Sequence, residues 1–107
     1  MWWQALAAGV TGLLALLVRV GYKMHKDFIA AHARMQAARP KGLRKGGLIK
    51  TGDRAYCFIG EWDKFDSIVQ ARPQMIAILD TMRTMLEDLG HGLGVTDPVS
   101  GEAVVEL

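Results

Sequence analysis

The chain has 107 residues, half of them hydrophobic, and a formal net charge of +2 at pH 7. This length supports one domain with one modest core. A single cysteine, Cys57, excludes an internal disulfide, and no CxxC or Cys/His spacing of a structural zinc site is present, so we predict no metal site. The apolar residues are concentrated in residues 1–22.

The N-terminal segment is uncharged from Trp2 to Val18 and supports more than one interpretation. A helix over residues 2–18 would extend about 25 Å, slightly short of a bilayer core of roughly 30 Å. It would span the core if it continued to Tyr22 with Arg19 snorkelling. The cations beyond it would then lie on the cytoplasmic side. This interpretation predicts a cytoplasmic protein anchored to the inner membrane by residues 2–18.

The end of the same segment also has the pattern of a strand. Apolar and polar or small side chains alternate from Leu17 to Met24, which is the period of a half-buried strand. In this interpretation residues 1–16 are an apolar N-terminal segment and residues 17–107 form the domain. A third alternative treats residues 1–12 as a short surface helix or an irregular start. Leu17–Met24 separates the interpretations, because it cannot be both helix and strand.

A first helix and a hairpin are predicted next. The helix covers Lys26–Ala38, where an apolar stripe recurs at helical spacing, and Pro40 ends it. The stripe consists of Phe28, Ala31, His32 and Met35. A strand over Gly42–Lys50 contains a glycine pair that suggests a bulge, and the turn Thr51–Asp53 leads into the next strand.

The segment between Asp27 and Asp53 is basic and contains no acidic residue. It lacks interleaved aromatic residues and any nucleic-acid-binding motif. We therefore predict no nucleic-acid partner.

The clearest strand covers Arg54–Trp62. Tyr56, Phe58 and Trp62 share one face of it, and the opposite face is also largely apolar, which predicts a central position in the sheet.

A second helical region follows this strand. Asp63 or Asp66 would cap a short helix through Arg72, and Pro73 would begin a new helical turn that ends at Gly90. The apolar residues at helical spacing in this second part are Met75, Leu79, Met82, Leu86 and Leu89.

The C-terminal segment is rich in turn residues. Asp97-Pro98 and Ser100-Gly101 predict two bends, and residues 103–105 a last strand. With Leu17–Met24 as the first strand, the order is β-α-β-β-α-β. This order predicts an α+β, ferredoxin-like fold, an antiparallel sheet with two helices on one face.

Three segments carry a resemblance to a known family: KMHKDFIAAHARM, ARPKGLRKGGLIKTGDRAYCFIGEWD and ARPQMIAILDTMRTMLEDLGHGLGVTDPVSG. They resemble small bacterial proteins of the dimeric α+β barrel superfamily, near the antibiotic biosynthesis monooxygenases. The resemblance covers residues 18–106. It implies a homodimer in which two sheets pack face to face, and an apolar pocket between each sheet and its helices.

The resemblance also implies candidate chemistry. Oxygenases of this superfamily include cofactor-free enzymes that act on polycyclic phenols and enzymes that degrade haem with an Asn, a Trp and a His. This chain contains no asparagine, so the haem site does not carry over and we predict no cofactor. The implied function is binding or oxygenating a small apolar or aromatic molecule; whether the chain is an enzyme stays open. The alternative is a single-span, membrane-anchored accessory subunit without catalysis.

Five residues are candidates for the site, each with a structural alternative. His32 and Trp62 match the residue types of the superfamily's catalytic groups, and Tyr56, Phe58 and Met82 would contact the ligand. The alternative for His32, and the more common role of a histidine at such a position, is a hydrogen-bonded core or semi-buried histidine. The aromatic face is also what any sheet core needs, and methionine fills gaps in many cores.

Overall fold

The structure, a computed structural model, describes residues 12–105 and has the predicted element order. The strands and helices are β1 (Gly12–Arg19), α1 (His25–Arg34), β2 (Leu43–Lys50), β3 (Ala55–Trp62), α2 (Phe65–Asp80) and β4 (Asp97–Glu102). Short 3-10 helices follow α1 at Met35–Ala38 and α2 at Arg83–Met85. The ferredoxin-like α+β prediction is confirmed.

The four strands form one antiparallel sheet in the order β2-β3-β1-β4. The apolar strands β1 and β3 are therefore central, as predicted for β3. Val18 and Lys50 both oppose Tyr56, and one row along the sheet Leu16 and Leu48 both oppose Phe58. Directly opposed residues lie on the same face, so these side chains all face the helices.

Two apolar clusters join the helices to this face. The larger one packs Phe28 of α1 and Met82 against the end of the sheet formed by Val18, Val20 and Tyr56. The other packs α2 against the opposite end, and its buried members are Leu14, Trp62, Ile68 and Ala71. Phe28, Val20 and Trp62 are at most 2% exposed, so they anchor the core.

The second face of the sheet is apolar but carries no helix. We call it the open face, and its side chains are 40–71% exposed: Leu13, Leu17, Ile49, Ile59 and Val99. In register, Leu17 and Ile49 flank Cys57, which is therefore only 5% exposed.

The first strand begins five residues earlier than the predicted Leu17–Met24. Val20 is buried as the alternation predicts, but Tyr22 is 75% exposed and Lys23 turns the chain with a φ of 67°. The alternation places the strand too late because β1 itself is apolar on both faces. β1 lies between β3 and β4 in the sheet. Its side chains are apolar on the helix-covered face and on the open face, so the strand shows no alternation of apolar and polar residues.

The predicted membrane helix over residues 2–18 is wrong for residues 12–18, which belong to β1. Within residues 12–105 no helix is long and apolar enough to cross a bilayer. The alternative of a short surface helix over residues 1–12 falls almost entirely outside the described residues.

The second helix differs from the prediction at Pro73 and at its end. Pro73 lies inside α2 instead of beginning a new turn. Four residues earlier Val69 is half exposed, on a side of the helix where water can replace the missing hydrogen bond. The helix ends at Asp80 instead of reaching Gly90; the Thr81 hydroxyl donates to the Ile78 carbonyl oxygen at 2.6 Å, a local bond that competes with the helix ladder.

The predicted capping by Asp63 or Asp66 is wrong, because the N-cap residue of α2 is Lys64 and no side chain caps the helix. The Asp63 carboxylate instead binds groups on either side of the helix start. It accepts hydrogen bonds from the Lys64 backbone N–H and the Ser67 hydroxyl. The hydrogen bond from Ser67 is the main cause of the lowered pKa of Asp63.

Two strand details also differ from the prediction. The irregularity of β2 falls between Leu43 and Lys45, not at the glycine pair. The last strand is β4 and not residues 103–105, although β4 contains Pro98 and Gly101. An edge strand tolerates both residue types, because only one of its sides joins the ladder.

Candidate functional site

An open cavity of about 730 Å³ lies between α1 and the strands β2 and β3. Phe58 and Leu48 form its floor, and Ile29 and His32 of α1 form the facing wall. Arg39 lies at one end. The space depends on a missing side chain, because a Cβ at Gly46 would lie 3.1 Å from Cζ of Phe58.

His32 is held between two aromatic rings. The centroid of its ring is 4.4 Å from that of Phe28 and 6.2 Å from that of Phe58. Its Nδ1 lies 3.2 Å from the backbone oxygen of Phe28, and since a carbonyl only accepts, we assign the proton to Nδ1. The opposite ring nitrogen, Nε2, then carries the lone pair.

The protonation state of His32 follows from its burial. Desolvation lowers the pKa of His32, and the hydrogen bond to the Phe28 carbonyl offsets this only in part. The ring is therefore neutral at pH 7. A neutral imidazole that lines a cavity can accept a hydrogen bond or a proton from a ligand.

His25 and Tyr56 form a hydrogen-bonded pair at the end of the cavity opposite Arg39. The Nδ1 atom of His25 is 2.9 Å from the hydroxyl oxygen of Tyr56, and the rings meet edge to face at 60°. Tyr56 is 4% exposed. Lys50 and Asp53 line the same end.

Sequence reasoning missed His25, which it assigned to the residues before the helix. In the structure His25 is the first residue of α1. The available signal was its spacing from His32, because residues seven apart lie on the same side of a helix.

A second, smaller cavity of about 60 Å³ lies deeper, between the sheet and both helices. Met82 lines it together with Met75 and Leu14, and His32 and Phe58 line both cavities. The predicted ligand contact Met82 is therefore adjacent to the larger cavity but does not line it.

Trp62 lies apart from the other predicted site residues. It is fully buried in the cluster with Ile68 and Ala71 and lines neither cavity. Among the described residues its Nε1 has no hydrogen-bond partner. A Cβ at Gly60 would lie 2.9 Å from this nitrogen, so the indole uses the space that glycine leaves. The structure thus brings together His32, Tyr56 and Phe58, but not Trp62.

The part of the chain from residue 12 to 105 contains no group of three or more His, Cys, Asp or Glu side chains that could hold a metal ion.

No protein-family model matches the sequence, and no curated protein matches it. Solved structures do match. A variant of SnoaB, a cofactor-independent oxygenase from Streptomyces nogalater, is 18% identical with a TM-score of 0.69, covering 92% of this chain and 98% of SnoaB. A protein from Bordetella bronchiseptica, named for antibiotic biosynthesis monooxygenase, is 14% identical with a TM-score of 0.70, covering 89% and 98%.

A dimeric ferredoxin-like protein from an uncultured marine organism is 13% identical with a TM-score of 0.65, and the match covers 94% of this chain and 93% of that one. At these identities the likeness is one of fold. The chain therefore has the ferredoxin-like α+β fold of the antibiotic biosynthesis monooxygenase-like proteins.

Proposed function

We propose that this protein binds a small planar aromatic molecule in the cavity beneath α1 and oxygenates it without a cofactor. The observation that carries the proposal is the placement of His32, which lines the cavity between the rings of Phe28 and Phe58 and whose Nδ1 is bonded to the Phe28 carbonyl, so that Nε2 is left for a ligand. Apolar walls with a few placed polar groups are typical of small-molecule sites. The fold shared with SnoaB, a cofactor-independent oxygenase, supports the same function.

The chemistry assigned to His32 is proton acceptance from a phenolic hydroxyl. The anions of polycyclic phenols are electron-rich enough to transfer an electron to O₂ without a cofactor, and the two radicals that result then combine. Conversion of a phenol to a quinone balances without a cofactor: one atom of O₂ enters the ring, and the other leaves as water with two hydrogens from the substrate. Phe58 and Leu48 would hold the ring plane against the sheet.

The assembly that we propose is a homodimer formed through the open face. Leu17, Ile59 and Val99 are 43%, 40% and 71% exposed there, and a contiguous apolar sheet face marks an interaction surface. Packing of two such faces would leave the cavity of each subunit on the outside, since it lies on the opposite side of the sheet. The dimeric ferredoxin-like protein with the same fold supports this arrangement.

The test uses the purified full chain, a panel of naphthols and hydroxylated anthracenes, and the variant His32→Gln. We expect 2-naphthol to bind in a fluorescence titration and at least one member of the panel to be oxidised with uptake of O₂, at a rate that falls tenfold or more in the variant. Absence of both binding and O₂ uptake would contradict the proposal. Binding without O₂ uptake would reduce it to a binding function.

A further inference from the structure

The cavity holds polar groups at two separated points. His25 and His32 are seven residues apart on α1, which is two helical turns or about 10 Å along the axis. Both line the cavity on the same side of the helix. Between them lies apolar surface from Ile29, Leu48 and Phe58. A ligand that satisfies both points must therefore be elongated, with one polar group at each end.

The point near His25 is rich in hydrogen-bond donors, and we call it the donor end: His25, Tyr56 and Lys50. Lys50 lies directly opposite Tyr56 in the register of β2 and β3, which puts their Cβ atoms about 5 Å apart. The pair formed by His25 and Tyr56 has one hydrogen beyond the shared bond, on His25 Nε2 or on the tyrosine oxygen, whichever tautomer is present.

Lys50 is the cation that remains available in this cavity. Among residues 12–105 its side chain has no hydrogen-bond or ion-pair partner. Arg39, at the opposite end, already donates to the backbone oxygens of Leu43 at 3.2 Å and Arg44 at 2.6 Å. Those bonds hold the loop before β2, so the guanidinium has a structural role and Lys50 is free to meet a ligand.

The point at His32 has the opposite character. Its Nδ1 is bonded to the Phe28 carbonyl, so its Nε2 offers only an acceptor. It complements a ligand hydroxyl, whereas the donor end complements a group that only accepts hydrogen bonds. A carboxylate is such a group, and a charge-assisted bond to an ammonium is about twice as strong as a neutral one.

We infer that the ligand is a bicyclic aromatic hydroxy acid: its carboxylate is bound by Lys50 and by the one hydrogen that the His25–Tyr56 pair leaves free, its hydroxyl by His32, and its ring system by Phe58 and Leu48. The inference rests on the proposed function and adds the acid group and the orientation to it. Asp53 also lines the donor end and opposes an anion there. Its charge therefore limits the affinity for a carboxylate.

The experiment compares two probes that differ only in the carboxylate, 2-naphthol and 6-hydroxy-2-naphthoate, by calorimetric titration of the full chain. We expect the wild type to bind the hydroxynaphthoate at least tenfold more tightly. Lys50→Met keeps the apolar stem of the side chain and should abolish this preference without changing the affinity for 2-naphthol. Lys64→Met, at an exposed lysine that does not line the cavity, is the matched control and should behave as wild type.

Asp53→Asn should increase the affinity for the hydroxynaphthoate a few-fold and leave that for 2-naphthol unchanged. Equal binding of the two probes by the wild type would overturn the inference while leaving the proposed function in place. The inference would also be overturned if Lys50→Met weakened both probes equally, or if Asp53→Asn weakened binding of the acid. Failure of both probes to bind would overturn the proposed function and the inference with it.

Discussion

Both faces of the sheet consist mainly of apolar residues, but one face is covered by the helices and the other is exposed. On the helix-covered face, Val18 and Tyr56 are 4% exposed, and the space left beside them is bordered by groups with fixed hydrogen bonds. On the open face, Leu17 and Ile59 are 43% and 40% exposed. The difference teaches that apolar alternation locates the sheet, whereas the polar groups beside the cavity are what motivates the proposed ligand site.

The comparison also separates two kinds of recognition. In the proposed function, polar groups on the helix-covered face such as His32 and Tyr56 would select a small molecule by its hydrogen-bonding pattern. The centre of the open face presents Leu17, Ile59 and Val99 with Cys57 beneath them, which suits a large apolar partner of matching shape. A second copy of the same face is such a partner.

The largest effect is expected from loss of the core side chain that joins α1 to the sheet. Phe28→Ala removes a ring that is 2% exposed, so we expect the free energy of unfolding to fall by about 3–5 kcal/mol. Tyr22→Ala, at a ring that is 75% exposed, should change it by less than about 0.5 kcal/mol. Urea unfolding at one protein concentration measures both; equal losses would contradict the assignment of the core.

The next largest effect concerns the open face. Ile59→Lys would bury an ammonium between two packed sheets, so we expect the dimer to dissociate at least 100-fold more readily. Ile76→Lys on α2 is the matched control, because Ile76 is 45% exposed against 40% for Ile59. Sedimentation velocity over a dilution series distinguishes the two. A dimer that survives Ile59→Lys but not Ile76→Lys would move the interface to the helices.

A pair of adjacent glycines sharpens the comparison of the two faces. Gly46 opposes Gly60 beside Phe58 on the cavity side, whereas Gly47 opposes Ile59 on the open face. Gly46→Val should fill the floor of the cavity and weaken binding of 2-naphthol about tenfold. The backbone of Gly47 also lines the cavity, but a new Cβ there would lie on the open face and meet nothing within 4 Å, so Gly47→Val should leave this affinity unchanged. Equal effects of both variants on the titration would contradict the placement of the ligand.

The smallest expected effect is a pH dependence of stability. Burial lowers the pKa of His32 below its ordinary 6.5, so the unfolded chain binds this proton more readily than the folded chain. The contribution of the neutral His32 ring to the free energy of unfolding is present above about pH 6.5 and is lost as the pH falls below that value. His32→Gln should therefore flatten the slope of the unfolding free energy between pH 7.5 and 5.

The control for this prediction is His91→Gln. His91 is exposed in a loop, so this variant should keep the wild-type slope. A slope that is unchanged in His32→Gln would contradict a desolvated His32.

The sequence was sufficient to predict the order of elements, because it shows the helical spacing of apolar residues in α1 and their two-residue alternation in β3. The stripe with Phe28 and His32 and the alternation of Tyr56 and Phe58 both face the core as predicted. The bounds of β1 were predicted wrongly, because a central strand that is apolar on both faces shows no alternation of apolar and polar residues. β4 was missed because Pro98 and Gly101 signal bends, which only the edge position permits.

The candidate site was predictable in part. His32 and the aromatic residues could be named because they lie on regular elements. For His25 the sequence offered only its seven-residue spacing from His32, and its bond to Tyr56, 31 residues away in the chain, is visible only in the structure. Trp62 shares the face of Tyr56 but lies at the far end of β3, where Ile68 and Ala71 cover it completely. The distance along a strand, and not the face alone, decides which side chains reach the cavity.

The central claim is that the open face is covered by a second copy while the helix-covered face holds the ligand. Sedimentation equilibrium of the wild-type chain with 2-naphthol tests it most directly, since it reports the mass of the assembly and the amount of bound probe together. We predict twice the chain mass of 11.8 kDa, with one probe for each chain. A monomer at tens of micromolar, or a dimer that holds one probe between its two copies, would contradict the account.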